Sequence, residues 1–208
     1  MTLRLGVLVS GAGTNLQAIL DAVNVGRLDA RVQIVISNRP DAGALSRAVN
    51  ANVPNLVIDH RGFESREHFD AALVDALRES GVDLVVLAGF MRVVGARVLR
   101  AFPDRVINLH PALLPAFPGT KAIEKALEHG VKVTGCTVHF VDEGVDSGPI
   151  IAQRAISVRE DDDAVTLRQR LAELEHELLV HTLQLFSAQA IAIDADGCGR
   201  RRVRVKAA

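Results

Sequence analysis

The sequence predicts an α/β fold in which a mostly parallel central sheet is flanked by helices and carries an antiparallel β addition in its C-terminal half. Three observations lead to it. Runs of Val, Ile and Leu without internal alternation, such as Leu5-Gly6-Val7-Leu8-Val9, have the pattern of strands buried on both faces. Amphipathic helical segments separate these runs through short connections, as parallel strands require. Beyond Lys132 the alternation stops, and two β-rich segments follow across 142–149, a loop too short for a crossover helix.

The first strand, 5–9, stops at Ser10-Gly11-Ala12-Gly13-Thr14-Asn15, and a helix reads from Leu16 to Val25. Thr14 and Gln17 have capping-box spacing, Leu16, Ile19, Leu20 and Val23 form one stripe, and Gly26 closes the helix. A second strand over 32–36 ends at Ser37-Asn38-Arg39-Pro40 and is followed by a short helix over 42–50. Leu56-Val57-Ile58 is the third strand. The helix 65–80 carries Phe69, Leu73, Ala76 and Leu77 on one face. A fourth strand, 83–88, ends at Gly89-Phe90-Met91-Arg92. A one- to two-turn helix over 94–102 then leads to a fifth strand ending at Asn108. A helix over 121–128 precedes the β segments 132–141 and 150–158. Asp161 to Asp163 cap a long helix running to Phe186, with Leu167, Leu171, Leu174, Leu178 and Leu185 as its buried stripe. Residues 190–193 and 203–205 pair as a terminal hairpin across Asp196-Gly197-Cys198-Gly199.

Length and composition narrow the class. The 208 residues fit one domain, and no repeat, linker or low-complexity stretch divides them. A net charge of -1 gives no global attraction to nucleic acid. The tail residues Arg200, Arg201, Arg202, Arg204 and Lys206 lack interleaved aromatics and read as a charged edge strand. Two scattered cysteines imply a reducing cytosol, so a cytoplasmic location is expected. No apolar run approaches the roughly 20 residues of a membrane span, and the strand-like start at Leu3 leaves no room for a signal peptide. The histidines and cysteines show no zinc spacing, and His176 and His181 are five apart, so no metal is expected. His60, His68 and His129 read as surface residues, and Cys136 as a small buried apolar one.

Ligands of an open parallel sheet bind beyond the carboxyl ends of its strands. The loops 10–15, 89–92 and 108–115 all leave such ends. The glycine-rich turn feeds a helix N-terminus, where free N–H groups and the helix dipole suit an anion. Leu16 and Ser37-Asn38-Arg39 depart from a dinucleotide fingerprint, so a single phosphate fits better than a nicotinamide cofactor. In Val106-Ile107-Asn108-Leu109-His110-Pro111, alternate residues of an extended chain point the same way, so Asn108 and His110 can address one ligand. A neutral amide donor beside a group that titrates near neutrality suits a developing oxyanion and a proton to move. The same pair also reads as a polar turn after a buried strand. Asp146, in a Gly- and Asp-rich loop, would favour protonated His110 if close to it, or is an ordinary turn residue.

Four motifs together carry a resemblance: Ser10-Gly11-Ala12-Gly13-Thr14-Asn15-Leu16-Gln17, Val86-Leu87-Ala88-Gly89-Phe90-Met91-Arg92, Asn108-Leu109-His110-Pro111-Ala112-Leu113-Leu114-Pro115, and Val138-His139-Phe140-Val141-Asp142-Glu143-Gly144-Val145-Asp146-Ser147-Gly148-Pro149. In this order and spacing the chain resembles the phosphoribosylglycinamide formyltransferases, within the wider 10-formyltetrahydrofolate-dependent formyltransferase family. The last three motifs are shared across that wider family, and the opening one is the narrower mark. The resemblance implies a Rossmann-like formyltransferase fold. It implies a substrate-phosphate site at Gly13, Thr14 and Asn15, and folate contacts at Arg66, Met91, Arg92, Val93, Val94 and Asn108. It implies a catalytic trio of Asn108, His110 and Asp146, and a substrate contact at Glu175. It divides the single domain into a phosphate-binding half (1–105), a catalytic and folate-binding half (106–190) and a basic tail or hairpin (191–208). The implied partners are 5'-phosphoribosylglycinamide and 10-formyltetrahydrofolate as co-substrate, with no tightly bound cofactor, no metal, no nucleic acid and no membrane, in a monomer or homodimer. Two other readings stay open, a formyltetrahydrofolate hydrolase or a methionyl-tRNA formyltransferase on the one hand and a non-catalytic phosphate- or nucleotide-binding module on the other. The extra domains of those two enzymes do not fit in this length.

Overall fold

A computed structural model describes residues 2–195 and 201–206. The chain divides into two compact units, one ending at Asn108 and the other beginning at Leu109.

The first unit alternates strand and helix: β1 (Leu3–Val9), α1 (Thr14–Asn24), β2 (Ala30–Ser37), α2 (Gly43–Asn50), β3 (Asn55–Val57), α3 (Arg66–Glu79), β4 (Leu84–Leu87), α4 (Ala96–Ala101) and β5 (Val106–His110), which carries the chain into the second unit. The strands are parallel in the order β3-β2-β1-β4-β5. β1 and β4 are central and almost wholly buried, which is why their sequences are continuous apolar runs, whereas the edge strand β3 is exposed along its length. Leu8 of β1 pairs with Leu87 of β4, and Leu87 pairs with Asn108 of β5. Three carboxyl ends are thereby brought into line, where an open α/β sheet places its ligands.

The second unit contains α5 (Ala122–Glu128), β6 (Val133–Phe140), β7 (Ile150–Ser157), α6 (Ala164–Ser187), β8 (Ile191–Ala195) and β9 (Arg201–Val205). β6 and β7 pair antiparallel, from Val133 opposite Ser157 to His139 opposite Ile150, as their short connection requires. In strand order the main sheet reads β3-β2-β1-β4-β5-β6-β7, and β8 with β9 forms a separate antiparallel pair. The turn expected at 196–199, with Cys198, lies outside the described residues. Asp163 caps α6 through a capping box with Thr166, and Leu167, Leu171, Leu178, Leu179, Leu183 and Phe186 are its buried stripe. Leu174 and Leu185, expected in that stripe, are only half-buried. Among the described residues no helix is long and apolar enough to cross a membrane.

Three local expectations change. α1 begins at Thr14, not Leu16, and its N-cap is Gly13 in the left-handed conformation with no side-chain cap. The Thr14–Gln17 capping box therefore does not form; Gln17 instead donates to Asp21 and accepts from Arg47. β5 continues through His110, so Asn108 and His110 both lie within an extended strand. α4 starts at Ala96 and not Val94, because the preceding segment is tied to other elements.

Candidate active site

The glycine turn is shaped by backbone. Gly13 has φ 76°, and a Cβ built there would lie 2.6 Å from both Cα and Cβ of Ala44, so α2 packs directly against the turn. The Ala44 amide donates to the Gly11 carbonyl at 3.1 Å, and Arg47 Nε donates to the Ala12 carbonyl at 2.8 Å. With no acidic residue in the first turn of α1 and no side-chain cap at Gly13, the positive end of the helix dipole at this turn suits an anion. Thr14 is exposed, and Gly13 and Asn15 are half-buried.

After β4, the segment 91–95 presents Met91 at 74% exposure beside a half-exposed Val93, while Val94 is buried in the core. Large apolar side chains left in water beside guanidinium groups suit a flat, partly charged ligand. Arg66, at the start of α3, reaches the segment through Nη2, which donates to the Val93 carbonyl at 2.9 Å. Arg92 lies over the Phe69 ring, 5.7 Å from its centroid. Val94 is 2% exposed over the whole residue, so of the segment it is Met91 and Val93 that are open to solvent.

The second unit gathers a charged cluster. His110 is 4% exposed, and its Nδ1 lies 3.2 Å from Asp146 Oδ2. Its Nε2 lies 2.8 Å from the Phe117 carbonyl, so both ring nitrogens face acceptors. Asp146 Oδ2 also accepts the Gly119 amide at 2.7 Å, and Asp146 Oδ1 lies 3.5 Å from His139 Nε2. Asp146 itself has φ 53°, a left-handed backbone that a short polar side chain tolerates better than most. Burial works to raise the Asp146 carboxyl, but the His139 hydrogen bond, the Gly119 amide and the charges of His110 and His139 outweigh it and hold the group low. For His110 burial is the largest influence and lowers the imidazole below its ordinary value, with His139 and Lys125 adding to that; the Phe117 carbonyl and Asp146 pull the other way without prevailing. Asp146 thus acts on His110 in the direction the sequence leads one to expect, against the opposing effect of burial. Asp146 does favour imidazolium, but desolvation of the ring costs more.

Glu175 is half-buried on α6, and its charge, after burial itself, helps push the Cys136 thiol up to about 12. Cys136 is fully buried and no nucleophile at neutral pH. His68 and His129 are exposed as expected, whereas His60 is half-buried, set edge-on against Phe69 and within 3.4 Å of the Asn38 amide. The residue that sequence reasoning passed over is His139. Its signal was an imidazole inside Val138-His139-Phe140, on a strand buried on both faces, where an ionisable side chain needs a partner. Among the described residues no group of three His, Cys, Asp or Glu side chains is placed to hold a metal ion.

A parallel sheet with helices alternating along it is the frame of an α/β fold, and the Asn-x-His strand end places its histidine against a partly buried carboxylate. Comparison with known proteins gives the family. Residues 3–183 match the formyl transferase family, and the chain belongs to it. It is 50% identical over 175 residues to the trifunctional purine biosynthetic protein adenosine-3 of Drosophila melanogaster, covering 83% of this chain and 13% of that protein. It is 41% identical over 174 residues to the phosphoribosylglycinamide formyltransferase of Bacillus subtilis, covering 84% of this chain and 89% of that one. The crystal structure of glycinamide ribonucleotide transformylase 1 from Symbiobacterium toebii superimposes with a TM-score of 0.95 at 51% identity, covering 99% of this chain and 95% of that one. The chain spans 13–19% of the length of its trifunctional relatives.

Proposed function

We propose that this chain transfers a formyl group from 10-formyltetrahydrofolate to the amino group of 5'-phosphoribosylglycinamide, in the de novo synthesis of purines (IMP). The products are 5'-phosphoribosyl-N-formylglycinamide and tetrahydrofolate. The observation that carries this reading is the 3.2 Å His110–Asp146 contact, two residues beyond Asn108 on one strand of a formyl transferase chain.

The amine lone pair attacks the formyl carbon, and the carbonyl π pair moves onto oxygen. Asn108 donates to that oxygen, and negative charge developing beside His110 favours its imidazolium. A proton leaves the attacking nitrogen, the bond from the carbon to folate N10 breaks, and N10 takes up a proton. His110 is suited to carry that proton, with Asp146 balancing its charge and fixing the ring. The Nε2 contact with the Phe117 carbonyl must give way for this nitrogen to serve the substrate. Gly13, Thr14 and Asn15 hold the phosphate on the amides of α1, which turns remote binding energy into orientation. Arg66, Met91, Arg92, Val93, Val94 and Asn108 receive the folate, and Glu175 approaches the ribonucleotide. The folate is a co-substrate, because it leaves without its formyl group.

The test is a spectroscopic assay of tetrahydrofolate release with glycinamide ribonucleotide, water alone or methionyl-tRNA as acceptor. Turnover that depends on the ribonucleotide supports the reading. Equal turnover without it points to a hydrolase, turnover with the tRNA alone to that formyltransferase, and none to a binding module.

A further inference from the structure

We propose that Ser10 and Asp70 are positioning residues that hold the two ends of the segment 91–95 in the shape that receives folate. The inference rests on the assignment of Met91, Arg92, Val93 and Val94 to the folate. Neither Ser10 nor Asp70 belongs to that set.

The segment leaves β4 and enters α4 with little regular structure of its own, so its shape depends on what its backbone groups find. At its start, the Met91 amide donates to Ser10 Oγ at 2.8 Å. Ser10 is 3% exposed, and its hydroxyl also donates to Asn38 Oδ1 at 2.6 Å. The Asn38 amide nitrogen in turn lies 3.4 Å from His60 Nδ1. A hydroxyl can accept and donate at once, which Ala or Val could not do here. Ser10 is also the first residue of the glycine turn, so one side chain joins the turn that suits a phosphate to the segment assigned to folate.

At its other end, the Gly95 amide donates to the Asp70 carboxylate. Asp70 projects from α3 and is only 2% exposed. A Cβ at Gly95 would lie 2.0 Å from Asp70 Oδ2, so only glycine allows this approach. Arg66 Nε stands 4.0 Å from the same oxygen while its Nη2 holds the Val93 carbonyl. Asp70 Oδ1 is buried with no hydrogen-bond partner. Burying a carboxylate so incompletely paired is costly, and an apolar residue would serve the fold better. What the charge provides is a fixed anchor for Gly95 and Arg66 among the guanidinium groups of Arg66, Arg92 and Arg97, which all act on it.

The experiment measures KM for each substrate, kcat, the Kd of a non-reactive folate analogue and the melting temperature for S10A, D70N, G95A, the D70N/G95A double variant and R66A. D70N and G95A should each raise folate KM and analogue Kd about tenfold, and S10A about fivefold, the scale of one charge-assisted or one neutral net hydrogen bond. kcat and the ribonucleotide KM should change little, and the double variant should be scarcely worse than either single, because both break one contact. Equal rises in both KM values, or losses that follow the melting temperature alone, would reduce both residues to general supports and overturn the inference. If D70N does not fold, G95A and S10A decide by the same criterion. R66A separates this claim from the one beneath it. Analogue affinity untouched by R66A removes the folate assignment, and the inference falls with it; affinity weakened by R66A but not by D70N, G95A or S10A defeats the positioning claim alone.

Discussion

The turn at 10–15 and the cluster around Asp146 handle charge by opposite means. The turn offers peptide amides at the start of a helix, held by carbonyl contacts from α2 and by a left-handed glycine, with no titratable side chain at Gly13, Thr14 or Asn15. The cluster offers side chains: two imidazoles and a carboxylate within 3.5 Å contacts, at 2–13% side-chain exposure. A backbone site should be indifferent to pH and sensitive to any added Cβ. A side-chain site should tolerate no change of charge and should titrate. Each prediction below tests one side of that contrast.

The largest loss is expected at the cluster. Asp146→Asn keeps the shape but leaves the imidazole without its counter-charge, and His110→Ala removes the proton carrier. Each should cost kcat roughly 100- to 10,000-fold, the usual range for general acid–base groups. The double variant should be hardly worse than the more damaged single, since residues that act as a unit are not additive. Steady-state kinetics of the three decide it, and fully multiplicative losses would break the pair apart. Next, Asn108→Ala removes a donor to the developing oxyanion and should lower kcat about 100- to 1,000-fold, with little change in the Kd of a folate analogue. Turnover within a few-fold of the parent would deny Asn108 that role.

A smaller and more selective effect belongs to the turn. Gly13→Val places a Cβ against Ala44 and asks a β-branched residue to adopt φ 76°, at a strain of about 1–3 kcal/mol. Ribonucleotide affinity should fall far more than folate affinity, as calorimetric titration of each ligand would show. Thr14→Ala, which leaves the backbone intact, should do much less. Equal loss of both ligands from folded Gly13→Val would end the backbone account of this site.

The same contrast explains what could be read in advance. Periodicity carried the strands and helices, because burial on one face or two leaves a repeating pattern. Asn108 and His110 were legible because an extended chain fixes the direction of alternate residues, and β5 extends through both. The start of α1 was misplaced because Thr14 and Gln17 satisfy a capping pattern that a left-handed Gly13 makes unnecessary. Asp70 was hidden within a helix stripe read only for Phe69, Leu73, Ala76 and Leu77, although a carboxylate next to Phe69 on a buried face was itself a signal. Ser10 was absorbed into a glycine-rich loop, and its partner, the Met91 amide, has no mark in sequence at all. The depressed imidazole of His110 could not be anticipated, since it depends on how much water the fold removes, not on which residues are nearby.

That last point yields the smallest effect and the sharpest sign. Burial lowers the folded-state value of His110 below the ordinary 6.5 of an exposed imidazole. Between those two values the unfolded chain binds a proton that the native ring does not, so stability must rise with pH across that window and fall as pH drops below about 6.5. His176 on α6, lowered chiefly by burial with Glu173 opposing, acts in the same direction. Asp146, held low, adds stability that is lost only below the ordinary carboxyl value of 3.8, outside the window. Asp70, raised chiefly by burial, works in the opposite sense from 3.8 upward. The informative quantity is therefore a difference. Urea unfolding at about pH 7.5 and about pH 5.5 should show a larger acid-side loss of stability for the parent than for His110→Asn, which cannot titrate there. The residual slope of that variant should shrink again when His176→Gln is added. An equal acid-side loss in parent and His110→Asn would mean that the folded ring titrates like an exposed one, and a larger loss in the variant would mean that Asp146 outweighs burial and holds His110 charged at rest.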